Sequence, residues 1–235
     1  NVVHGGKEVV DLLCTHRDTK ALSFVGSTEV GPHVYNLAGQ HGKRVQSMMG
    51  AKNHVVVMPD ANKEQTLNAL VGAAFGAAGQ RCMALSVAVM VGETKHWVDE
   101  LVNKTKTLKV NAGHEPNTDV GPVISTRAKA RVIDLINSGV EQGAELLLDG
   151  RNVQVPGYEQ GNFVGPTIFN QVTTEMRIYK EEVFGPVLAI MHVDTLEQAI
   201  ELINANPFGN GVGLFTQNGN TARTFQNQID IGQVG

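Results

Sequence analysis

The stretch that decides the fold is residues 54–91, HVVVMPDANKEQTLNALVGAAFGAAGQRCMALSVAVMV. It opens with a valine-rich run at 54–59 and closes with a second apolar run at 86–91. Between them, apolar residues recur at the spacing of one helix face from Lys63 to about Gly79. Two apolar strands joined by a helix are typical of a β-α-β unit, in which the strands run parallel and are buried on both faces.

The same alternation of strand and helix patterns continues on both sides of this stretch. Further strands are predicted at 21–26, 43–49, 145–148, 187–193 and 211–215, and further helices at 8–14, 27–39, 95–108, 126–142, 196–205 and 221–229. Such alternation predicts an α/β fold with a largely parallel sheet. We expect two lobes, residues 1–48 and residues 49–235.

Composition excludes several classes of protein. The chain has 235 residues, 42% of them hydrophobic, and a net charge of −4 without a basic block, so we expect no nucleic-acid or membrane partner. No apolar run approaches the roughly 20 residues of a membrane span. The histidines lack metal-ligand spacing and no Cys-x-x-Cys occurs, so we expect no metal site. The two cysteines, Cys14 and Cys82, fit a reducing compartment better than a disulfide-bonded secreted protein.

Residues 24–31, FVGSTEVG, are the first candidate site. A hydrophobic strand ends at Gly26, and Ser27 is predicted to open a helix. The free N–H groups and the dipole at such a helix start would bind a phosphate. The alternative is that Ser27 is an ordinary N-cap. Pro32 falls late for a proline in the first turn of this helix, which indicates an irregular start.

Cys82 is the second candidate. Cys14 lies on the apolar side of its predicted helix, as buried and unreactive cysteines do. Cys82 instead follows Arg81 in a predicted loop, where reactive groups are often placed. The carboxyl end of the preceding helix would disfavour a thiolate, whereas the adjacent Arg81 would favour one. On local sequence, Cys82 is either a nucleophile or a structural cysteine.

A third stretch, residues 179–187 (YKEEVFGPV), places two adjacent carboxylates, Glu181 and Glu182, before Phe184 and a Gly-Pro turn. Taken alone, such carboxylates are usually just solvated. Taken in order along the chain, FVGSTEVG, GQRC and EEVFGPV resemble the aldehyde dehydrogenase superfamily, and the resemblance covers the whole chain. Within it, residues 49–64 (MGAKNHVVVMPDANKE) and 73–86 (AAFGAAGQRCMALS) are similar to the methylmalonate-semialdehyde dehydrogenase branch.

This resemblance implies a fold and a set of roles. Residues 1–48 would be the last part of a Rossmann-type NAD-binding domain, and residues 49–235 most of an α/β catalytic domain. Cys82 would attack the aldehyde carbon and carry an acyl thioester after hydride transfer to NAD, with its backbone N–H as half of an oxyanion hole. The implied cofactor-binding residues are Ser27 at the pyrophosphate, Met49, Glu182 at the nicotinamide ribose and Phe184 beside the nicotinamide ring.

The sequence departs from the superfamily at Met48. Hydrolytic members have a glutamate there, in a Glu-Leu-Gly-Gly-Lys motif, and it activates water. A positioned base contributes about 10²- to 10⁴-fold, and methionine cannot accept a proton. A free thiol, with a pKa near ~8.5, is partly ionised at neutral pH without help. We therefore expect coenzyme A as the acyl acceptor, as in the methylmalonate-semialdehyde branch. The alternative is that Met48 fills the core of a hydrolytic enzyme.

The substrates implied by that branch, methylmalonate and malonate semialdehyde, carry a carboxylate beyond the aldehyde carbon. Arg81 would hold this group in a charge-assisted pair, or would instead pair with a structural carboxylate. Loss of carbon dioxide from the thioester would give propionyl-CoA or acetyl-CoA. Two other functions remain open at this point, a hydrolytic aldehyde dehydrogenase that yields a free acid and a non-catalytic protein that keeps the fold.

The resemblance also implies a setting for the protein. We expect a homo-oligomer, a dimer or a tetramer, in the cytoplasm of a bacterium or in a mitochondrial matrix. The sequence opens at Asn1 without an initiating methionine or the pattern of a signal peptide, so we expect it to be a piece of a longer protein. We also expect no turnover by these residues alone, because the second half of the oxyanion hole belongs to an upstream segment in the family.

Overall fold

The computed structural model describes all residues, 1–235, and divides the chain into two units, Asn1–Gly50 and Ala51–Gly235. Helices and parallel strands alternate in both units. The predicted α/β fold class is therefore confirmed.

Two short parallel strands and two helices form the first unit. They are α1 (Lys7–Thr15), β1 (Ala21–Val25), α2 (Gly31–Gln40) and β2 (Arg44–Met48), with β1 paired to β2. Its small core consists of Cys14, Val34 and Ala38, against which Phe24 packs. Burial raises the pKa of the Cys14 thiol, as expected of an unreactive structural cysteine.

The start of α2 differs from the prediction. Ser27 does not open the helix and is not its N-cap, because residues 27–30 form a turn in which the Ser27 carbonyl accepts from the Val30 and Gly31 N–H groups, at 3.1 and 3.0 Å. The helix begins at Gly31, which puts Pro32 in the first turn. Proline is well tolerated there, since the first-turn N–H groups have no partner within the helix. The irregular start indicated by Pro32 is this turn.

A seven-stranded sheet organises the second unit. Its strands are β3 (Asn53–Val57), β4 (Leu85–Val91), β5 (Glu145–Leu148), β6 (Thr167–Asn170), β7 (Val187–Val193), β8 (Gly211–Phe215) and β9 (Gln233–Val234), in the order β5-β6-β7-β4-β3-β8-β9. Every neighbouring pair is parallel except β5 with β6. The central strands explain the apolar runs of the sequence, because Val56, Val57, Val87 and Val89 are fully buried between the layers of helices.

Six α-helices accompany this sheet. They are α3 (Lys63–Phe75), α4 (Val98–Lys106), α5 (Thr126–Glu141), α6 (Arg177–Lys180), α7 (Leu196–Asn204) and α8 (Gly219–Gln228). Four begin at a polar residue whose side-chain oxygen accepts from the first turn, namely Asn62, Ser125, Thr195 and Asn218. No helix of the protein has both the length and the apolar character needed to cross a membrane.

Two predicted helices have the wrong bounds. The helix predicted to reach Gly79 ends at Phe75, and a 3₁₀ turn with left-handed residues follows over Gly76–Gly79. The helix predicted at 95–108 is split, because a 3₁₀ segment occupies Gly92–Trp97 before α4 begins. In the first place the chain passes through left-handed backbone at Ala77, Ala78 and Gly79, and in the second Gly92, with φ of 54°, joins β4 to the 3₁₀ segment.

Candidate active site

The amino ends of four adjacent strands form the candidate site. Residues 51–53 precede or begin β3, residues 79–84 precede β4, residues 181–186 precede β7, and Asn210 precedes β8. Because these strands are parallel and adjacent in the order β7-β4-β3-β8, the segments meet at one edge of the sheet. Most open α/β sheets bind ligands at the carboxyl ends of their strands, so this site uses the opposite edge.

One pocket at this edge brings together four of the predicted site residues. Its lining includes Arg81, Cys82, Glu182 and Phe184. Cys82 is exposed and free of any disulfide. The structure thus places the predicted nucleophile beside the predicted substrate-binding and nicotinamide-side residues, although they lie as much as a hundred residues apart in sequence.

The backbone before Cys82 is held in an unusual conformation. Ala77 and Ala78 both have φ of 53°, and Gly79 follows with φ of 68°. Left-handed conformation costs roughly 1–2 kcal/mol for each residue that carries a Cβ. Gly79 is also in close contact with the loop before β7, since a Cβ there would lie 2.1 Å from the Gly185 carbonyl oxygen. The two loops of the pocket are therefore packed backbone against backbone.

A tight turn presents the thiol. The Ala84 N–H donates to the Arg81 carbonyl at 2.9 Å, which closes a four-residue turn with Cys82 at its second position. The Cys82 carbonyl accepts from the side-chain amides of Asn53 and Asn210, each at 2.8 Å. The Cys82 N–H has no acceptor within the protein. The turn therefore leaves both the thiol and this N–H available to a ligand.

Arg81 caps the end of α3. Its Nη2 donates to the carbonyls of Gly72 and Ala73, both at 3.0 Å. These carbonyls belong to the last turn of the helix, where unpaired acceptors and the negative end of the dipole favour a cation. The alternative expectation, that Arg81 pairs with a structural carboxylate, is wrong because both contacts are to main-chain oxygens. The guanidinium also offsets the negative end of the α3 dipole.

The adjacent carboxylates Glu181 and Glu182 face different surroundings. Glu181 pairs with Arg177 at 2.8 Å and with Arg131 at 3.3 Å, and the Arg177 guanidinium lowers the pKa of its carboxyl. Glu182 lines the pocket, and its Oε1 accepts from the Ala51 N–H at 3.0 Å. Only Glu182 is therefore available to a ligand beside Cys82.

Buried Lys52 fixes the loop that carries Glu182. Its Nζ donates to the Ile178 carbonyl at 2.9 Å and also to the Glu181 carbonyl. Burial lowers the pKa of Lys52 to about 8, while the charges of Glu182 and Glu181 act in the opposite direction. The result is a short segment, residues 51–53, that contacts both loops of the pocket: Ala51 and Lys52 hold one, and Asn53 holds the other.

Ser27, Met48 and Met49 lie in the first unit. Ser27 is exposed in the turn before α2, and Met48 ends β2 with 46% of its surface exposed. Met48 therefore does not fill the core of that unit. Met49 contacts Gly31 and lines an open hollow of about 310 Å³ together with Tyr35.

Three residues of the site were not singled out from the sequence. Lys52 and Asn53 are polar residues at the start of a buried strand, which is a signal that could have marked them. Asn210 follows a glycine and precedes another, a pattern that indicates only a turn. Its contact with Cys82 depends on β8 lying next to β3, which the sequence does not reveal.

Comparison with known proteins identifies the family. The family model described as "Aldehyde dehydrogenase family" matches residues 1–235. The chain belongs to the aldehyde dehydrogenase family. A human aldehyde dehydrogenase named methylmalonate-semialdehyde/malonate-semialdehyde dehydrogenase [acylating], mitochondrial, is 59% identical over the whole chain, which covers 44% of that protein. The resemblance inferred from the motifs is thus confirmed.

Solved structures of aldehyde dehydrogenases give the same result. Methylmalonate-semialdehyde dehydrogenase from Oceanimonas doudoroffii matches with a TM-score of 0.98 and 47% identity, over 100% of this chain and 49% of that one. A Sinorhizobium meliloti protein assigned the same activity and crystallised with NAD matches with the same score and identity, over 100% of this chain and 48% of that one. The chain therefore spans about half the length of the relatives it matches.

Proposed function

We propose that the protein is an NAD-dependent, coenzyme A-acylating dehydrogenase of methylmalonate and malonate semialdehyde. The observation that carries the proposal is the exposed Cys82 thiol, which shares a pocket with Glu182 and Phe184 and lies beside an unpaired backbone N–H. The names of the relatives support the substrate class and the acylating reaction.

The groups that line the pocket suit the reactive end of a dinucleotide. Phe184 leaves 44% of its surface exposed next to the thiol, although Val183 before it is buried. An exposed ring suits a flat aromatic ligand, and Glu182 can accept hydrogen bonds from ribose hydroxyls. We assign residues 1–48 to the NAD-binding domain, with Ser27 at the pyrophosphate and Met49 in the same site, and residues 49–235 to the catalytic domain. NAD, when bound, accepts the hydride from the substrate.

Cys82 provides the covalent chemistry. Its thiolate sulfur forms a bond to the aldehyde carbon, and the carbonyl oxygen becomes an oxyanion that the Cys82 N–H stabilises. The carbon then loses hydride and the oxygen regains its double bond, which leaves an acyl thioester on Cys82. The thiol of coenzyme A attacks this thioester, and the Cys82 sulfur leaves with the electron pair of the broken C–S bond.

Met48 favours a thiol over water in that last step. It carries no group that can accept a proton, and it is too exposed to be core filling. A thiol at neutral pH is already partly ionised, whereas water, with a pKa of about 15.7, needs a base. The absence of a carboxylate at this position therefore supports the acylating reaction.

Arg81 is proposed to bind the substrate carboxylate. The guanidinium has five N–H donors, and the two on Nη2 donate to carbonyls in the last turn of α3. The other donors can hold a carboxylate beyond the aldehyde carbon in a charge-assisted pair. This carboxylate lies β to the thioester carbonyl, so its carbon can leave as carbon dioxide while the electron pair passes to the α-carbon, which then takes up a proton. The products would be propionyl-CoA and acetyl-CoA.

Location and assembly complete the proposal. The human relative is named mitochondrial, and we assign a eukaryotic protein of this kind to the mitochondrial matrix and a bacterial one to the cytoplasm. We also propose that the full-length protein is a homo-oligomer, a dimer or a tetramer.

The test is a measurement of NADH formation by the full-length protein from methylmalonate semialdehyde, with and without coenzyme A. We expect a single burst without coenzyme A and sustained turnover to propionyl-CoA with it. The Cys82→Ala variant is the control and should give neither. Sustained turnover to a free acid without coenzyme A would instead identify a hydrolytic enzyme, and absence of NADH under both conditions would contradict the proposed activity altogether.

A further inference from the structure

We propose that Asn210 and Asn53 act together as positioning residues for Cys82, by clamping its carbonyl group from the ends of two other strands. The inference rests on the proposed role of Cys82 as nucleophile. It assigns a function to two amides that do not touch the reacting atoms.

The clamp saturates one carbonyl. A peptide oxygen has two lone pairs, and the Cys82 oxygen receives one N–H from Asn53 and one from Asn210, each at 2.8 Å. The peptide group after Cys82 is therefore fixed from two directions. Its orientation determines the backbone angles of Cys82 and hence the direction in which the thiol leaves the chain.

Asn53 binds two carbonyls of the turn. Its Nδ2 donates a second hydrogen bond, to the Ala84 carbonyl, also at 2.8 Å. The side chain is 94% buried, since 6% of it remains exposed, and its Oδ1 has no partner. A buried oxygen without a hydrogen-bond partner destabilises the folded state. Asn53 is thus a poor choice for stability at the start of a core strand, and the bonds it makes to the turn of Cys82 account for its presence.

Asn210 reaches the turn because the next residue is glycine. A Cβ at Gly211 would lie 2.7 Å from the Met83 Cε and 3.2 Å from the Asn53 Oδ1. The amide of Asn210 also contacts the Met83 sulfur at 3.1 Å. The start of β8 is therefore packed directly onto the turn. Asn210, just before β8, donates to the Cys82 carbonyl from the far side of β3 relative to β4.

The two groups of Cys82 that the asparagines do not bind, the thiol and the N–H, agree with the proposed positioning role. The clamp engages the Cys82 carbonyl, while the thiol stays exposed and the Cys82 N–H stays without an acceptor. On the other side, the left-handed residues Ala77 and Ala78 fix the chain that enters the turn. The two amides hold the chain where it leaves Cys82.

The experiment compares Asn210→Ala and Asn210→Asp with Asn204→Ala in the full-length protein. Asn204 is the matched control, because its Nδ2 also donates to a backbone carbonyl, that of Gln228 at 2.9 Å, away from the pocket. Three quantities are measured: the rate of Cys82 carboxamidomethylation by iodoacetamide, read by peptide mass spectrometry; the rate constant of the NADH burst; and KM for NAD.

We expect the alkylation and burst rates to fall by about 10- to 100-fold in Asn210→Ala, the scale of a misplaced reacting group. Asn210→Asp should lose more, because a carboxylate oxygen would face the Cys82 carbonyl without a proton to donate. KM for NAD and the thermal midpoint should match those of Asn204→Ala. Unchanged alkylation and burst rates in an active protein would overturn the clamp. An equal loss in Asn204→Ala would also overturn it, since the effect would then be one of general stability.

Discussion

Cys14 and Cys82 are the same side chain in two different regions of the molecule. Cys14 lies on α1, fully buried against Val34 and Ala38, and no residue before it has a positive φ. Cys82 lies at the exposed corner of a turn that follows left-handed backbone and is tied to two asparagines. The comparison shows that residue type alone does not distinguish the two cysteines. The backbone around them does.

The largest expected effect separates the two thiols by activity. In the full-length protein, Cys82→Ala should lower kcat by on the order of 10⁴-fold or more, as loss of a nucleophile does. Cys14→Ala should leave kcat within about twofold and cost roughly 1 kcal/mol of stability as a small core deletion. Steady-state NADH formation measures kcat, and thermal unfolding measures the change in stability. If Cys14→Ala abolished activity in a folded protein, the contrast between the regions would be wrong.

Two glycines, one in each unit, extend the comparison of the two regions to the backbone. Gly42 and Gly79 share a φ of 68°, but a Cβ at Gly42 meets nothing within 4 Å, whereas one at Gly79 would meet the Gly185 oxygen. Gly42→Ala should therefore cost only the left-handed conformation, about 1–2 kcal/mol. Gly79→Ala adds a backbone clash, so we expect about 2–4 kcal/mol in total. Equal shifts of the unfolding midpoint would show that the two loops of the pocket are free to move apart.

The smallest effect concerns acid stability of the second unit. Burial lowers the pKa of His54, near the start of β3, to about 4 from 6.5. Between these values the unfolded chain binds a proton that the folded one does not, so stability is complete above pH 6.5 and is lost as the pH falls toward 4. The stability lost is up to about 3 kcal/mol, and the loss occurs only at acidic pH.

Thermal unfolding of the full-length protein between pH 4 and 7 measures this loss. His54→Leu should flatten the curve over that range, although it also removes the contact with the Tyr179 hydroxyl at 3.3 Å. His33, which is exposed on α2 of the first unit, offers a matched control. The prediction fails if His54→Leu and the unmodified protein lose the same stability on acidification.

Sequence patterns predicted the fold well where local and tertiary preferences agree. The strands expected at 145–148, 187–193 and 211–215 have those bounds in the structure. The errors lie where packing overrides periodicity, as at Phe75, where the chain leaves the helix to bring Gly79 against Gly185. β6, α6 and β9, each of four residues or fewer, were missed.

The candidate site was predictable only in part, for a physical reason. Cys82, Glu182 and Phe184 stand out because their motifs are unusual in type and order. Asn53, Lys52 and Asn210 are ordinary residues whose importance comes from strand order, which puts their loops at one edge of the sheet. The roles of all six predicted site residues (Ser27, Met49, Arg81, Cys82, Glu182 and Phe184) stay predictions, as do the bounds of the two domains.

The location of the candidate site at the amino ends of four strands also has a consequence for the order of folding. β3, α3 and β4 are consecutive in sequence, so they can assemble locally and early. The remaining contacts of the pocket join residues far apart: Asn210 and Cys82 are separated by 128 positions, and Ala51 and Glu182 by 131. Such pairs form only after long loops have closed. The thiol is therefore expected to acquire its final geometry among the last steps of folding, when β8 docks beside β3.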